Sequence, residues 1–494
     1  MDETIDRVFA DLMMRKFDAE DESVQTALMR TMEMMRGGHV CVNASDVPEL
    51  EHLPARMVSE SPSTLFVRHG SMYYLQRHWI MESRIVKPVI SRLNTKAKEV
   101  EKPELTGLNE QQAKAVHKSL ETSFFVLAGG PGTGKTYTAR RMIEAHGKAK
   151  RIALAAPTGK AVSKLKASLE NIDKEVDACT LHRLLGVKKA GDQVKAGKKL
   201  SYDIILIDEC SMIDLAMWGL LFDSLMPQTK VFLLGDPEQL PSVEPGNFFE
   251  DLWQIIQAKR IRHGEMLTQC MRTDCLEIMQ GIDWIKSEAV ENVQKASGDF
   301  SVQGLPTVDE LIADLHPMFR GGEVDMQGLD ACQILSVLRH GPLGVKKLNQ
   351  MIWNEIEKDL NVGDRIAIPI MITKNAIDVD LSNGEIGIWM HHYKEKAKDV
   401  VLFKDREMPF ALVPAHELAY VISVHKSQGS EFDQVKVILP PGSERFGKKV
   451  LYTAVTRARK KVVIYSDDDT LSLCITNRQA RTSNLAPRLL ELLE

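Results

Sequence analysis

The sequence predicts an α/β chain in which two parallel-sheet units follow a small helical/β domain and a β-rich insertion interrupts the second unit. Three observations predict it. The stretch FFVLAGGPGTGKTYTARRM (124–142) passes from an apolar run through glycines into a charged, helix-compatible segment. Four short apolar runs, FFVLAGG, RIALAAP, YDIILIDE and KVFLLGD, lie between 108 and about 265, separated by segments able to form helices, and each ends in Gly, Pro or Asp near a turn. This is the alternation of βα units, whose parallel sheet places ligands at the carboxyl ends of its strands. A second, less continuous set, AYVISVHKSQG, QVKVILP and KKVVIYS, follows the β-rich stretch.

A chain of 494 residues exceeds one ordinary core and predicts two to four domains. A net charge of -5 gives no global sign of polyanion binding, so any nucleic-acid surface is local. The seven cysteines (41, 179, 210, 270, 275, 332 and 474) form no CxxC pair, which argues against a zinc cluster or a secreted disulfide scaffold. Residues 1–20 carry six acids and no secretory apolar region, and no run reaches the ~18 apolar residues of a membrane helix. The expected location is cytoplasmic.

In chain order, 1–100 reads as a separate N-terminal domain. DRVFADLMMRKF and QTALMRTMEMMRGG have amphipathic helical spacing, the second closed by Gly37 and Gly38. TLFVRHGSMYYLQRHWIMESRI predicts a hairpin at His69-Gly70 leading into a helix. Its Tyr73, Tyr74 and Trp79 fit core packing or a protein interface better than a base-stacking platform. After the linker NTKAKEVEKPELTGLNE the first parallel unit is expected over 101–265, the second over 266–360 and 411–494 (the latter ending in a C-terminal tail), and the insertion over 361–410. NVGDRIAIPI, VDLSNGEIGIWMHHY and DVVLFKD there predict antiparallel strands with a turn at Asn383-Gly384.

GGPGTGKT fits GxxxxGK[ST], a Walker A loop between strand and helix. Gly129, Gly130, Pro131, Gly132, Thr133 and Gly134 let backbone N–H groups converge on phosphate. Lys135 can reach the terminal phosphates of ATP, and Thr136 can ligate Mg²⁺ through its hydroxyl. In ILIDEC, Asp208 leaves an apolar strand where it can help hold Mg²⁺, and Glu209 can orient or deprotonate a water. LLGDPEQLPSV puts Asp236 and Gln239 on the same edge, and Gln239 can sense γ-phosphate or bind the water through either amide atom. Arg272 and Arg457 are candidates for stabilising equatorial phosphate oxygens, but a lone arginine is more often solvated or ion-paired.

Over about 108–465 the order of segments is similar to that of superfamily 1 helicases of the RecD-like branch. LNEQQAKAV resembles the adenine-contacting Q motif, carried by Gln112. GGPGTGKT corresponds to motif I, APTGKAVSKL and TLHRLLG resemble the DNA-contacting motifs Ia and Ib, and LIDECS corresponds to motif II. LLGDPEQLPSV resembles motif III, LTQCMRT the segment with the motif IV arginine, VISVHKSQGSEFDQVKV motif V and LYTAVTRARKKVVIY motif VI. The resemblance implies two RecA-like P-loop motor domains with ATP between them, an SH3-like insertion, Arg272 and Arg457 directed at nucleotide, and 5′-to-3′ translocation along single-stranded DNA. It also implies DNA contacts at Thr158, Lys160, Ser163, Thr180, His182, Lys374, Asn375, His425, Ser427 and Gln428. The lysine-rich VKKAGDQVKAGKKL (187–200) stands where such enzymes place a small 1B element.

LFVRHGSMYYLQRHWIMESRI is similar to the short amino-terminal region of RecD subunits of exodeoxyribonuclease V (RecBCD), which binds RecC. That resemblance implies RecB- and RecC-like partners, action at duplex DNA ends and a nuclease in the partner subunit. The SDDD stretch (466–469) fits a solvated turn better than a nuclease metal site. A nucleotide-controlled assembly subunit with little unwinding of its own is the alternative, and ATP turnover with and without DNA separates the two.

Overall fold

The structure is a computed structural model. It describes residues 2–95, 103–147, 149, 151–169, 172, 175–187, 199–271, 276–307, 309–311, 331–358, 360–362, 364–374, 376–379, 381–394, 399–404, 406–478 and 481–493. No helix among them is long and apolar enough to cross a membrane.

In the N-terminal domain helices Asp2–Lys16 and Glu22–Arg36 pack together, the second capped by the Asp21 carboxylate on the Ser23 N–H. The predicted hairpin is present: Phe66–His69 pairs antiparallel with Met72–Leu75 across Gly70, which adopts a positive φ. Tyr73 and Tyr74 are buried in the core, and Trp79 packs against it. These aromatics are packing, not an exposed platform.

Helix Gln76–Leu93 then joins this domain to the next. Its Ile85, Val86 and Val89 share one core with Trp218, Leu221 and Phe222, and Arg92 Nη1 donates to the Thr229 carbonyl at 2.9 Å. The N-terminal domain is fused to the first parallel unit by common apolar burial, which the linker-like sequence before residue 108 did not suggest.

The first sheet is wholly parallel, in the order Gly264–Leu267, Phe124–Gly129, Lys230–Gly235, Ile204–Ile207, Arg151–Ala156, Glu175–Thr180. Its central strands are near-continuous apolar runs because helices cover both faces. Gly264–Leu267 runs across the expected boundary at 265 to pair with 126–129. The second sheet is also parallel: Phe300–Gln303, Ala458–Tyr465, Phe432–Ile438, Cys332–Ser336, Val421–Ser423.

The insertion forms a five-stranded antiparallel sheet from Arg365–Ile372 to His416–Leu418, so it extends past the expected end at 410. Trp389 is half-buried and packs against its apolar core: it stacks on Phe410 at 4.0 Å and donates to Asp399 Oδ2 at 3.0 Å. In SDDD, Asp467 caps helix Asp468–Thr476 by accepting from the Thr470 N–H, and Asp468 and Asp469 form its first turn, so the acids open a helix and not the expected turn.

The C-terminal tail returns to the N-terminal domain after residue 481. The Val40 N–H donates to the Thr482 carbonyl at 2.9 Å, and helix Leu485–Leu492 packs against helices Gln76–Leu93 and Phe248–Ala258.

Candidate nucleotide site and surrounding surfaces

Strand Phe124–Gly129 ends at the glycine loop, and helix Lys135–Ala145 begins directly after it. Gly134 has φ +82°, and a Cβ there would lie 2.7 Å from Gln112 Nε2. Only glycine fits this close approach with that backbone. Lys135 Nζ donates to the carbonyls of Gly129 at 2.7 Å and Gly130 at 3.0 Å, which folds the ammonium over the loop.

Gln112 is buried. Its Oε1 accepts from the Asn109 N–H in a capping box, and its Nε2 donates to the Thr133 carbonyl at 3.3 Å. The structure therefore places this side chain behind the loop as a brace, outside the lining of the cavity. Gly129 likewise contributes its carbonyl to Lys135 and does not line the cavity.

That cavity, about 270 Å³, has walls from both parallel units. The first supplies the loop residues Gly130–Thr136, together with Asp208, Glu209, Asp236 and Gln239. The second supplies Gly429, Glu431 and Arg457. Asp208 follows strand Ile204–Ile207 and accepts from the Glu209 N–H at 2.8 Å through Oδ1. Burial, then the neighbouring Glu209 charge, pushes its pKa up, with Lys135 opposing. A half-buried carboxylate with the Glu209 carboxylate next to it in the chain, on the same cavity as Thr136, fits a divalent cation such as Mg²⁺. Glu209 itself has φ +53°, a left-handed non-glycine backbone of the kind that costs about 1–3 kcal/mol and is found at functional sites.

Arg457 is buried and held by three bonds: Nε to the Thr453 carbonyl, Nη1 to the Ser430 carbonyl and Nη2 to Thr456 Oγ1. The guanidinium is thereby fixed in the part of the cavity wall that the second unit supplies, while Lys135 belongs to the part the first unit supplies. Arg272 lies outside the described residues.

The units meet around 236–240. Leu240 N–H donates to Thr453 Oγ1 at 2.8 Å, Gln428 Nε2 to the Leu240 carbonyl at 3.0 Å, and Lys449 Nζ to the Pro237 carbonyl at 3.3 Å. Tyr452 OH donates to Asp236 Oδ2 at 2.7 Å.

The proposed DNA-contacting residues divide into three groups. Thr158 caps helix Gly159–Ser168 and Thr180 caps helix Leu181–Leu185, at the carboxyl ends of the neighbouring strands Arg151–Ala156 and Glu175–Thr180. Lys160, Ser163 and His182 are exposed beside them, and Lys374 is exposed on the insertion. His425 is half-buried, its pKa lowered by burial and then by Arg481. Ser427 and Gln428 depart from the expectation: both are buried, with their donors on the Val424 and Leu240 carbonyls. These two side chains brace the turn and the join between units. Asn375 and 188–198 of the lysine-rich stretch lie outside the described residues.

Sequence reasoning missed Tyr137, Lys164, Glu431 and Met271 in the cavity lining, and Tyr452 beside it. Tyr452 stands inside the quoted LYTAVTRARK, but an apolar helix position gives no sign that a hydroxyl faces another domain.

A family model described as AAA domain matches residues 112–245, and one described as UvrD-like helicase C-terminal domain matches 418–465. The RecBCD enzyme subunit RecD of Haemophilus influenzae is 30% identical, over 85% of this chain and 80% of that protein. The chain belongs to the RecD-like family of superfamily 1 helicases. The RecBCD enzyme subunit RecD of Mycolicibacterium smegmatis is 28% identical over 96% of this RecD-like chain and 94% of its own length. The ATP-dependent RecD2 DNA helicase of Deinococcus radiodurans is 28% identical over 78% of this chain and 52% of its own. With its two-walled cavity, this RecD-like chain is an ATP-dependent enzyme of the helicase class.

Proposed function

We propose that the chain is the 5′-to-3′ DNA-translocating subunit of a RecBCD-type complex, working with RecB- and RecC-like partners at DNA ends during double-strand-break repair. The observation that carries the motor reading is the single cavity with Lys135, Asp208, Glu209 and Gln239 on one unit and Arg457 on the other. Hydrolysis in such a cavity changes what holds two RecA-like domains together, and that change of fit is what moves them along a strand. The partner reading is supported by the reach of the matches along this chain: the RecD relative of Mycolicibacterium smegmatis matches 96% of it and the RecD2 relative 78%.

Within this reading, Lys135 neutralises β- and γ-phosphate oxygens, and Glu209 orients and deprotonates the water that attacks the γ-phosphorus as ADP leaves. Arg457 stabilises charge on the equatorial oxygens, a role the family resemblance also gives to Arg272. Thr136 and Asp208 would hold Mg²⁺, which supplies Lewis-acid neutralisation of the phosphates. Thr158, Lys160, Ser163, Thr180 and His182 would meet strand phosphates from the first unit, with His425 meeting them from the second and Lys374 from the insertion. The N-terminal domain would capture the RecC-like partner.

Polarity is tested in the assembled complex with the other motor disabled, on matched duplexes carrying 5′ or 3′ single-stranded tails. Opening should require the 5′ tail and vanish with Lys135→Ala. Lys135-dependent opening from the 3′ tail would reverse the direction.

A further inference from the structure

Tyr452 sits on helix Gly447–Val455 of the second unit, yet its hydroxyl reaches a carboxylate of the first. Asp236 Oδ2 accepts from Tyr452 OH at 2.7 Å and from Gln239 Nε2 at 3.2 Å, while Oδ1 accepts from the Glu238 N–H at 3.0 Å. Tyr452, Asp236 and Gln239 are all buried. A carboxylate only accepts, so the NH₂ end of Gln239 must face it and the carbonyl end must point away. That carbonyl oxygen, Oε1, is buried without a hydrogen-bond partner, on a residue that lines the nucleotide cavity.

A buried acceptor without a partner, on a residue of the cavity wall, calls for a donor, which an O–H of water supplies. It repels a γ-phosphate oxygen, which is also an acceptor. Of the two roles the sequence leaves open for Gln239, the geometry therefore selects water orientation. We propose that Tyr452 is a positioning residue: through Asp236 it fixes the amide of Gln239 with Oε1 toward the attacking water, and it does so only while the two units are closed. Separation of the units breaks the Tyr452–Asp236 bond, leaves Asp236 with a single side-chain partner and frees the amide to turn. Hydrolysis is thus gated by closure. The neighbouring contacts join the same loop to the same helix, since Leu240 N–H is bonded to Thr453 Oγ1 and the Pro237 carbonyl to Lys449 Nζ.

The inference rests on the ATP-hydrolysing reading of this cavity and is tested by epistasis. Rates are measured with single-stranded DNA at enzyme excess over ATP, where slow turnover is readable, and steady-state kcat and KM are measured alongside. Tyr452→Phe keeps the ring and loses one hydrogen bond to a charged group, so kcat should fall roughly 10-fold with KM for ATP nearly unchanged. The double variant Tyr452→Phe/Gln239→Ala should be no slower than Gln239→Ala alone, because the hydroxyl acts through the amide. A residue that only packs would not produce that pattern. Asp236→Asn, which can present its own NH₂ and let Gln239 turn, should behave in the same way and carries the test if Tyr452→Phe does not fold. Wild-type kcat in Tyr452→Phe overturns the proposal, as does a double variant slowed by the product of the single effects. Absence of ATP turnover in the wild-type chain overturns instead the reading on which the proposal rests.

Discussion

Replacement of Arg488 by methionine should destabilise the chain far more at about pH 7.5 than at pH 5.5. Arg488 Nη1 pairs with Glu82 Oε1 at 2.8 Å, Nη2 donates to Ser83 Oγ at 2.9 Å, and the guanidinium lies 4.1 Å from the Trp79 ring centroid. Glu82 is fully buried, and its other partners are the Tyr74 hydroxyl at 2.9 Å and Ser483. Burial raises the Glu82 pKa and Arg488 opposes that rise, so losing Arg488 raises it further. Stranding a buried charge costs about 3–5 kcal/mol. The carboxyl can instead take up a proton, which limits the penalty to about 1.4 kcal/mol per pH unit above its ordinary value of 4.5. That limit is about 4 kcal/mol near pH 7.5 and about 1.5 kcal/mol near pH 5.5. The sign follows from a raised folded pKa: the folded chain keeps a proton the unfolded chain has lost, so stability falls as pH rises above 4.5. Urea unfolding at the two pH values measures the difference, and Glu82→Gln in the same chain should recover most of the loss at the higher pH. A pH-independent penalty, or one below about 1 kcal/mol at pH 7.5, would refute the buried-pair argument.

Gly134→Ala should weaken ATP binding at least about 10-fold in a fluorescent-nucleotide titration, since its Cβ would enter the space of Gln112 Nε2 at a backbone angle alanine resists; wild-type affinity would contradict this. Asp399→Asn should destabilise the insertion by roughly 1–3 kcal/mol, because Asp399 accepts from Trp389 Nε1, the His391 ring and the His392 N–H; faster hydrogen exchange confined to 365–418 is the expected readout. Removal of residues 1–95 should give an aggregating chain and not a clean ATPase, because Ile85, Val86 and Val89 belong to the core of the first unit. A monodisperse, active truncated chain would show that the shared core is dispensable.

The nucleotide site was legible because its parts are local. Four glycines, a proline, two threonines and a lysine occupy eight consecutive positions, and Asp208 and Glu209 follow an uninterrupted apolar strand. Strands Glu175–Thr180 and Gly264–Leu267 were missed for the converse reason: EVDACT and GEML hold no continuous apolar run, and they lie at the two edges of the sheet, where less burial is demanded. The return of the chain end could not be read, since Arg488 meets Glu82 across more than 400 positions and each looks alone like a surface charge. Ser427 and Gln428 looked like phosphate donors by type, and only the placement of the Val424 and Leu240 carbonyls shows where their donors go. Tyr452 belongs to the same class, because its meaning lies in a partner 216 positions earlier.

The central claim is that the cavity between the two units hydrolyses ATP with Lys135 binding phosphate and Glu209 activating water. The most direct measurement is ATP binding and DNA-stimulated ATP turnover on the same preparations of wild-type, Lys135→Ala and Glu209→Gln chains, with folding verified. Lys135→Ala should lose binding and turnover together, while Glu209→Gln should keep most of its binding and lose turnover by about 100-fold or more. Wild-type turnover in folded Lys135→Ala would contradict the site, and wild-type turnover in Glu209→Gln would contradict the role given to the carboxylate.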